Sequence, residues 1–366
     1  PIRAQLIARD AVRLSESISD QRSRREARGF LGYMNVTLGS WTKADADQCL
    51  ALVEESEEDI PLDTFGRAIH MLYLTSRSYP AAKLGEAAVF RALQAGNVSQ
   101  YYRLTFHLGS AYGCQGTVGS ALRTFRDGLA VAQRNGHHLW SLLYQLELSI
   151  VYSWALCPSE AHTILDEIER TIDDATRTRL RSFVLPARAM AFAEQGDVQA
   201  ALELLADPGL VSGSFLDVRF LVRYLSGTCL LHLGDIDEAE RQSTALIELA
   251  APIPQRSMAA GGYSHRAWVL HARGSNQSAI QAMEQALLFL RADEPCMTTW
   301  RVLASACTFF AKLGQTEEAQ RCYSECVSEL HRVRMDFDPD EPLRAHFESH
   351  PRVQLILSGS SALSSG

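Results

Sequence analysis

Apolar residues recur at helical spacing in successive stretches of the chain, and each stretch ends in a short polar turn. Leu221, Tyr224 and Leu225 would lie on one face of such a helix, which Gly234 follows. Glycine readily takes the left-handed conformation that ends a helix, and a residue such as Asp235 can cap the next one. The pattern therefore predicts pairs of antiparallel helices joined by short turns.

The turn returns with a period of about 40 residues. Its glycine stands at Gly39, Gly116, Gly196, Gly234, Gly274 and Gly314. Five residues after each glycine comes an alanine, where two helices cross closely, and Ala82 and Ala161 hold that place in two repeats without the glycine. Such a regular period is typical of solenoids, in which each helix pair packs on its neighbours. We predict an all-α, right-handed α-solenoid of about eight helix pairs in one continuous domain.

One repeat resembles the tetratricopeptide repeat (TPR) closely. Its matching residues are Leu108, Gly109, Tyr112, Gly116, Ala121 and Phe125. The period exceeds the ~34 residues of that family, and the signature Trp of the first helix is mostly missing. The longer period resembles the sensor arms of bacterial signal-transduction ATPases, such as the maltose-regulon activator, and of serine/threonine kinases fused to such ATPases. The resemblance covers residues 24–334.

The two ends of the chain depart from the repeat. Residues 1–23 predict an N-terminal linker helix, and residues 24–334 hold the TPR-like superhelix. Residues 335–357 begin with a turn-rich break and predict a capping segment on the last repeat. The Ser/Gly-rich residues 358–366 predict a disordered tail.

Composition narrows the class of protein. The net charge of −8 over 366 residues is unfavourable for nucleic-acid binding as a main function, although Arg22, Arg24, Arg25 and Arg28 form a local basic patch. We find no apolar run near the ~18 residues of a membrane helix and no secretory signal, which favours the cytoplasm. Only three of the 35 basic residues are Lys, a skew typical of GC-rich organisms. The eight cysteines contain no C-x-x-C pair and are interpreted as reduced packing residues.

Motifs for catalysis, metal or cofactor binding are missing from the sequence. There is no P-loop, no protein-kinase signature and no G-x-S-x-G elbow. His346 and His350 are spaced like metal ligands, but we interpret them as a solvated helix end. We also interpret the acidic run at 54–59 as a solvated helix end. Cys322 and Cys326 are interpreted as packing residues. We therefore predict a protein that is not an enzyme.

The resemblance to TPR arrays implies a concave binding face formed by the first helix of each pair, helix A. In such arrays this face is lined by residues 13, 10, 6 and 3 positions before the turn glycine. The positions selected here as partner-binding candidates are Arg103, Phe106, Ser110, Tyr224, Thr228, Trp268, His271 and Arg301. Packing between repeats is the competing interpretation for Tyr224 and Trp268.

Three functions follow as hypotheses. The first is a sensor arm that binds a protein partner or small effector in its concave groove and is covalently linked to an upstream NTPase or kinase, in transcription regulation or signalling. The second is a free-standing TPR adaptor that docks a partner protein. The third is an all-helical (α/α) toroid enzyme, which requires a closed ring with paired Asp/Glu side chains inside. The predicted inner positions carry almost none.

Overall fold

The structure is a computed structural model that describes residues 2–17, 20–37, 62–212, 215–252, 255–292, 294–339 and 341–358. Regular structure in these ranges is entirely helical. The first helices are α1 (Ile2–Glu16), α2 (Gln21–Thr37), α3 (Leu62–Leu74), α4 (Ser78–Gln94), α5 (Val98–Gln115), α6 (Val118–Arg134), α7 (His138–Trp154), α8 (Pro158–Thr171) and α9 (Asp174–Gln195). They are followed by α10 (Val198–Leu205), α11 (Gly209–Ser212), α12 (Leu216–Leu233), α13 (Ile236–Ala250), α14 (Arg256–Ala272), α15 (Asn276–Arg291), α16 (Thr299–Lys312), α17 (Thr316–Asp336), α18 (Pro342–Ser349) and α19 (Pro351–Leu357).

The turns form as the repeat pattern predicts. Gly116 ends α5 at φ 73°, and Thr117 N donates to Tyr112 O at 3.0 Å. The Asp235 side chain accepts a hydrogen bond from Glu238 N at the start of α13. Where glycine is missing, Ser76 and Leu156 take the left-handed conformation instead, at φ 58° and 62°. The prediction of stacked helix pairs is therefore confirmed.

Small residues set how closely these helices approach. The repeated alanines, such as Ala121 and Ala161, are fully buried. A Cβ added to Gly109 would lie 2.5 Å from Phe125 Cε1, and one added to Gly128 would lie 2.4 Å from Tyr144 Cζ. The small residues of the repeat are thus sites of helix crossing, and the aromatic residues fill the space they leave.

Replacing Gly128 with alanine should lower the free energy of unfolding by about 1–3 kcal/mol, because the new methyl group overlaps the Tyr144 ring. That ring cannot withdraw easily: it is fully buried, and its hydroxyl donates to Tyr102 O at 2.7 Å. At an open helical site the same change stabilises by ~1 kcal/mol. Urea unfolding measures the change in the free energy of unfolding. The control is Arg134→Ala on the exposed end of α6, for which we expect a change close to zero. A gain in stability for Gly128→Ala would contradict the close helix crossing at this position.

The superhelix coils back on itself, so that the third repeat touches the last one. Ser120 on α6 donates from Oγ to Asp336 Oδ1 at 2.6 Å and from its amide to Oδ2 at 3.0 Å. Arg126, also on α6, forms an ion pair with Glu341 at 2.7 Å. Gly119 has no room for a side chain here, since a Cβ would lie 2.3 Å from Asp336 O. Residues more than 200 positions apart in sequence are therefore in direct contact.

A second closing contact joins α7, α9, α16 and α19, and we call it the clasp: Trp154, Glu194, Trp300, Arg301 and Arg352. Arg301 pairs with Glu194 at 3.2 Å, and Arg352 binds the other oxygen of that carboxylate at 2.9 Å. The guanidinium of Arg301 lies 4.4 Å from the Trp154 ring centre and 4.3 Å from that of Trp300. Burial lowers the pKa of Arg301, and Glu194 opposes that shift.

The first and last described helices pack on neighbouring helices. α1 pairs with α2, and α18 and α19 contact α17. Helix α2 begins before residue 24 and α17 runs past residue 334, and the domain limits stay a prediction. The predicted turn at Gly39, the acidic run at 54–59 and the tail from 359 onwards lie outside the described residues. None of the helices described is both long and apolar enough to cross a membrane.

Candidate binding site

A cavity of about 420 Å³ lies among α2, α3 and α5, and we call it the N-terminal cavity. Its wall is formed by Phe30, Tyr33, Arg67, Arg103 and His107. All five belong to first helices of the first three repeats. The volume falls within the range of small-ligand pockets.

Helix geometry brings these side chains together. Phe30 and Tyr33 are three residues apart on α2, and Arg103 and His107 are four apart on α5, so each pair shares one helix face. Gly66 on α3 lets α3 and α5 approach closely, because a Cβ at this position would lie 3.1 Å from Arg103 Nε and 3.2 Å from His107 Cδ2. A larger residue at Gly66 would therefore reshape the wall.

Both arginines of the wall are held by neighbouring groups. Arg103 Nη2 donates to Leu62 O at 3.2 Å and to Gln100 Oε1 at 2.6 Å. Arg67 places its guanidinium 5.0 Å from the centre of the Phe30 ring, a cation–π distance. The cavity thus has two oriented guanidinium groups beside aromatic surface.

Behind the wall lies a stack of aromatic and imidazole rings. Tyr33 Oη and His70 Nδ1 share a hydrogen bond of 3.0 Å, and His70 stacks on Tyr73 at 4.9 Å. His107 lies 5.4 Å from His70. Burial lowers the pKa of His70, against the charge of Asp217, and burial with His70 and Arg103 lowers the pKa of His107 well below its usual value. Both imidazoles are therefore neutral at pH 7, and the positive charge of the cavity comes from the arginines.

Among the sequence-predicted residues, only Arg103 lines this cavity. Phe106 packs between Phe125 and Trp140, at 6.1 and 6.0 Å between ring centres. Ser110 donates back to Phe106 O at 3.0 Å. These two residues of α5 are thus engaged in contacts within and between repeats.

Tyr224 and Thr228 on α12 also make internal contacts. Tyr224 is 8% exposed and stacks on His265 at 5.2 Å. Thr228 donates to Tyr224 O at 3.0 Å and lies 3.1 Å from His265 Nε2. Little of the Tyr224 ring is left for a partner.

The remaining candidates lie in the last two repeats. Trp268 Nε1 donates to Ser305 Oγ at 2.8 Å, with Lys312 5.3 Å from its ring centre. His271 Nδ1 lies 2.9 Å from Asn276 Oδ1, and Arg301 belongs to the clasp. The eight candidates therefore do not form one site. A partner-binding role for those outside the cavity stays a prediction.

The other wall residues were missed, although the repeat register contains a signal for two of them. Counting back from Gly39, Tyr33 stands six positions before the turn glycine, as Ser110 does before Gly116. In the second repeat Arg67 stands 15 positions before Ala82, as Phe106 does before Ala121. Applying the inner-face rule to the first two repeats would have selected both.

Elsewhere, the half-buried Glu147 interacts through charge with the exposed Asp217. Burial, reinforced by the charge of Asp217, raises the pKa of Glu147 to about 8. Tyr73 and Cys114, which also feel these charges, line a cavity of only about 60 Å³. That volume holds water rather than a substrate, so this pair offers little support for the toroid-enzyme hypothesis.

Metal ligation is not suggested by the histidine pair at the C-terminus. His346 Nε2 lies 3.0 Å from Leu156 O, and His350 Nδ1 accepts from Arg352 N at 3.2 Å. Within the described ranges no three His, Cys, Asp or Glu side chains gather as metal ligands would. The described cysteines are free thiols, and Cys322 and Cys326 are buried between helices.

No protein-family model and no curated protein matches this sequence. Solved structures show the fold. A Rap protein complexed with competence and sporulation factor has a TM-score of 0.54 at 13% identity, covering 92% of this chain and 98% of that one. Cut9 of the APC/C hetero-tetramer Cut9–Hcn1 has a TM-score of 0.53 at 13% identity, covering 95% of this chain and 59% of that one. A tetratricopeptide repeat protein from Parabacteroides merdae has a TM-score of 0.41 at 14% identity, covering 81% of this chain and 98% of that one.

The similarities to the Rap and Cut9 structures confirm the fold prediction. The protein is an all-α, right-handed solenoid of TPR-like helix pairs. At 13% sequence identity these structures show the fold alone. A linked ATPase or kinase domain therefore stays a prediction.

Proposed function

We propose that this protein is a non-enzymatic binding scaffold that receives an extended segment of a partner protein in the N-terminal cavity. The observation that carries the proposal is the cavity itself: about 420 Å³ of open space lined by helix A side chains of three consecutive repeats. By contrast, the candidate inner residues of the later repeats make intramolecular contacts.

The fold supports a binding role. TPR-like solenoids present surfaces built from many helices, so ligands can contact several repeats at once. The similar Rap and Cut9 structures are complexes, with competence and sporulation factor and with Hcn1 respectively. A partner segment would bury only one or two side chains in the cavity here, because a whole helix about 10 Å across exceeds its volume.

The wider setting extends the same proposal. We place the scaffold as the sensor arm of a larger bacterial regulator in the cytoplasm, where an upstream NTPase or kinase domain would respond to the bound segment. The long repeat period supports this setting. A free-standing adaptor would use the same cavity without that domain.

Gly66→Leu tests the use of the cavity, because its side chain would enter the space between Arg103 and His107. Peptides selected on the wild-type protein from a random displayed library should bind the variant at least ~10-fold more weakly, which corresponds to ~1.4 kcal/mol. Gln94→Leu adds the same side chain at an exposed position of α4 and should bind normally. Circular dichroism and urea unfolding identify variants that fail to fold.

Arg103→Ala provides a second variant if the leucine disturbs folding, since it enlarges the cavity instead of filling it. The proposal fails if selected peptides bind the folded cavity variants as well as they bind the wild type. It also fails if the wild type retains no peptide from the library.

A further inference from the structure

We infer that Cys114 and Cys296 are a thiol pair that hydrogen peroxide oxidises to a disulfide, which ties the third repeat to the segment before α16 and stabilises the coiled array. Cys114 lies on the last turn of α5, and Cys296 lies three residues before α16. The inference goes beyond the proposed binding function. It involves no ligand of the N-terminal cavity, so its failure would leave that proposal standing.

Accessibility singles out these two thiols. Within the described ranges, Cys114 and Cys296 are partly exposed. The other described cysteines are buried: Cys157, Cys229, Cys307, Cys322 and Cys326. An oxidant from solution must reach the sulfur before it can react, so a thiol buried between helices is protected. Peroxide should therefore react first with the exposed pair.

The fold brings the two cysteines to one small cavity. Both line a space of about 60 Å³ at the end of α5. A Cβ added to Gly116 would lie 3.1 Å from Met297 N, and one added to Gly113 would lie 3.5 Å from Met297 Cε. Sequence neighbours of the two cysteines are therefore in direct contact. Backbones this close suit the Cα separation of about 4.4–6.8 Å that a disulfide spans.

The surroundings of the two sulfurs differ, which gives them different roles. Cys296 Sγ lies 3.1 Å from Thr298 Oγ1 and 3.3 Å from Thr299 Oγ1. Hydroxyl groups at these distances can donate to a thiolate, the form that attacks peroxide. Burial, and then the charge of Cys296, raises the pKa of Cys114, so Cys114 remains a thiol at neutral pH. Cys296 is therefore the cysteine that reacts with peroxide, and Cys114 resolves the product.

The reaction balances with hydrogen peroxide as the co-reactant. The Cys296 thiolate attacks one peroxide oxygen, the O–O bond breaks, and a sulfenic acid forms. The proton that Cys296 lost joins the leaving hydroxide as water. The sulfur of Cys114 then attacks the sulfenic sulfur, the S–S bond forms, and the S–O bond breaks. The thiol proton of Cys114 leaves with that hydroxyl as a second water, so two thiols lose two electrons and one peroxide gains them.

The volume of the cavity favours this oxidant. About 60 Å³ corresponds to roughly two water molecules at ~30 Å³ each, which suits hydrogen peroxide. Oxidised glutathione, a disulfide of two tripeptides, is far larger than that space. We therefore expect glutathione disulfide to oxidise the pair more slowly than peroxide does.

The disulfide would reinforce a contact that rests on non-covalent bonds in the reduced protein. Arg332 Nη2 donates to Gln115 O at 2.9 Å, and Tyr79 N donates to the Glu294 carboxylate at 2.7 Å. Almost half of the chain separates the two cysteines. A bond that closes so long a loop restricts the unfolded chain strongly, so the oxidised protein should be the more stable form.

Peroxide treatment of the reduced full chain tests the pair directly. The intact mass should fall by two hydrogen atoms, and peptide mapping without reductant should link the Cys114 peptide to the Cys296 peptide. Cys114→Ser should instead leave Cys296 as a sulfenic acid, which dimedone labels. Cys296→Ser should give neither the link nor the label. Cys229→Ser removes a buried thiol and should form the link as the wild type does.

Urea unfolding measures the effect of the bond on stability. The oxidised wild type should unfold at a urea midpoint roughly 1 M above that of the reduced protein. Dithiothreitol should reverse the shift. Cys114→Ser, treated with peroxide in the same way, should show no shift.

The inference is overturned if peroxide yields no link between these two positions, or if the link joins other cysteines. A link that leaves the urea midpoint unchanged or lowers it would overturn the stabilising tie. Dimedone labelling of Cys114 in Cys296→Ser, without labelling of Cys296 in Cys114→Ser, would overturn the roles assigned to the two sulfurs. Faster linking by oxidised glutathione would overturn the choice of oxidant.

Discussion

Replacing Glu194 with alanine should lower the free energy of unfolding by about 3–5 kcal/mol, the largest effect we expect from one substitution. The carboxylate is the shared partner of Arg301 and Arg352, and the side chains of Glu194 and Arg301 are only 10% and 11% exposed. Removing it leaves the Arg301 guanidinium between two Trp rings without its counter-charge. Because the clasp joins α9 to α16 and α19, the loss should also loosen the contact between the fifth repeat and the C-terminal helices.

Urea unfolding at neutral pH measures this effect. Glu203→Ala removes an exposed carboxylate from the neighbouring helix α10 and should change stability by less than ~0.5 kcal/mol. The double variant Glu194→Leu with Arg301→Met should recover much of the loss, since an apolar pair avoids burying charge. An equally small effect for Glu194→Ala and Glu203→Ala would show that the clasp does not hold the fifth repeat to the C-terminal helices.

Acidification from pH 6.5 towards 4 should destabilise the protein through His265. Burial lowers the pKa of His265 to about 4 from the usual 6.5. The unfolded chain therefore takes up a proton before the folded one does, so the stability present above pH 6.5 is lost as the pH falls towards 4. A shift of this size corresponds to roughly 3 kcal/mol. Burial lowers the pKa of His70 and His107 as well, so they act in the same direction.

His265→Phe separates this contribution from the rest. Phenylalanine keeps a ring against Tyr224 but does not titrate, so urea unfolding between pH 7 and 4 should show a weaker pH dependence than in the wild type. The slope is the measurement, because it is independent of any constant change in packing. An identical slope in both proteins would show that His265 does not titrate as its burial implies.

Glu147 changes the stability in the opposite direction, over a different range of pH. Its pKa is raised to about 8 from 4.5, so its contribution is present below pH 4.5 and is lost as the pH rises through 8. Comparing the variant and the wild type at each pH removes this background from the His265 experiment.

Local sequence patterns were sufficient to predict the helix pairs. Gly116 and Asp235 act within a few residues of their own position, where one ends a helix and the other caps the next. The repeated alanines then set how adjacent helices cross. The fold could therefore be predicted because its interactions lie mostly between neighbours in sequence.

The inner face was less predictable because its side chains pack between adjacent repeats and, for Arg301, in the clasp. The TPR resemblance implied an open concave groove, and on that basis Tyr224, Trp268 and Arg301 were chosen. In the structure Tyr224 stacks on His265, Trp268 donates to Ser305, and Arg301 lies in the clasp. A periodic pattern specifies which side chains point inward, but it does not say whether another repeat will cover them.

The sequence by itself determined the all-α architecture, the repeat length and the position of Arg103 on the inner face. Only the tertiary structure decided that Asp336 would meet Ser120, that Glu194 would bind Arg301, and that the open space would lie at the N-terminal cavity. The physical reason is sequence distance: helix periodicity and turn chemistry act over one repeat. Closure depends on small rotations that accumulate over many repeats before distant residues meet.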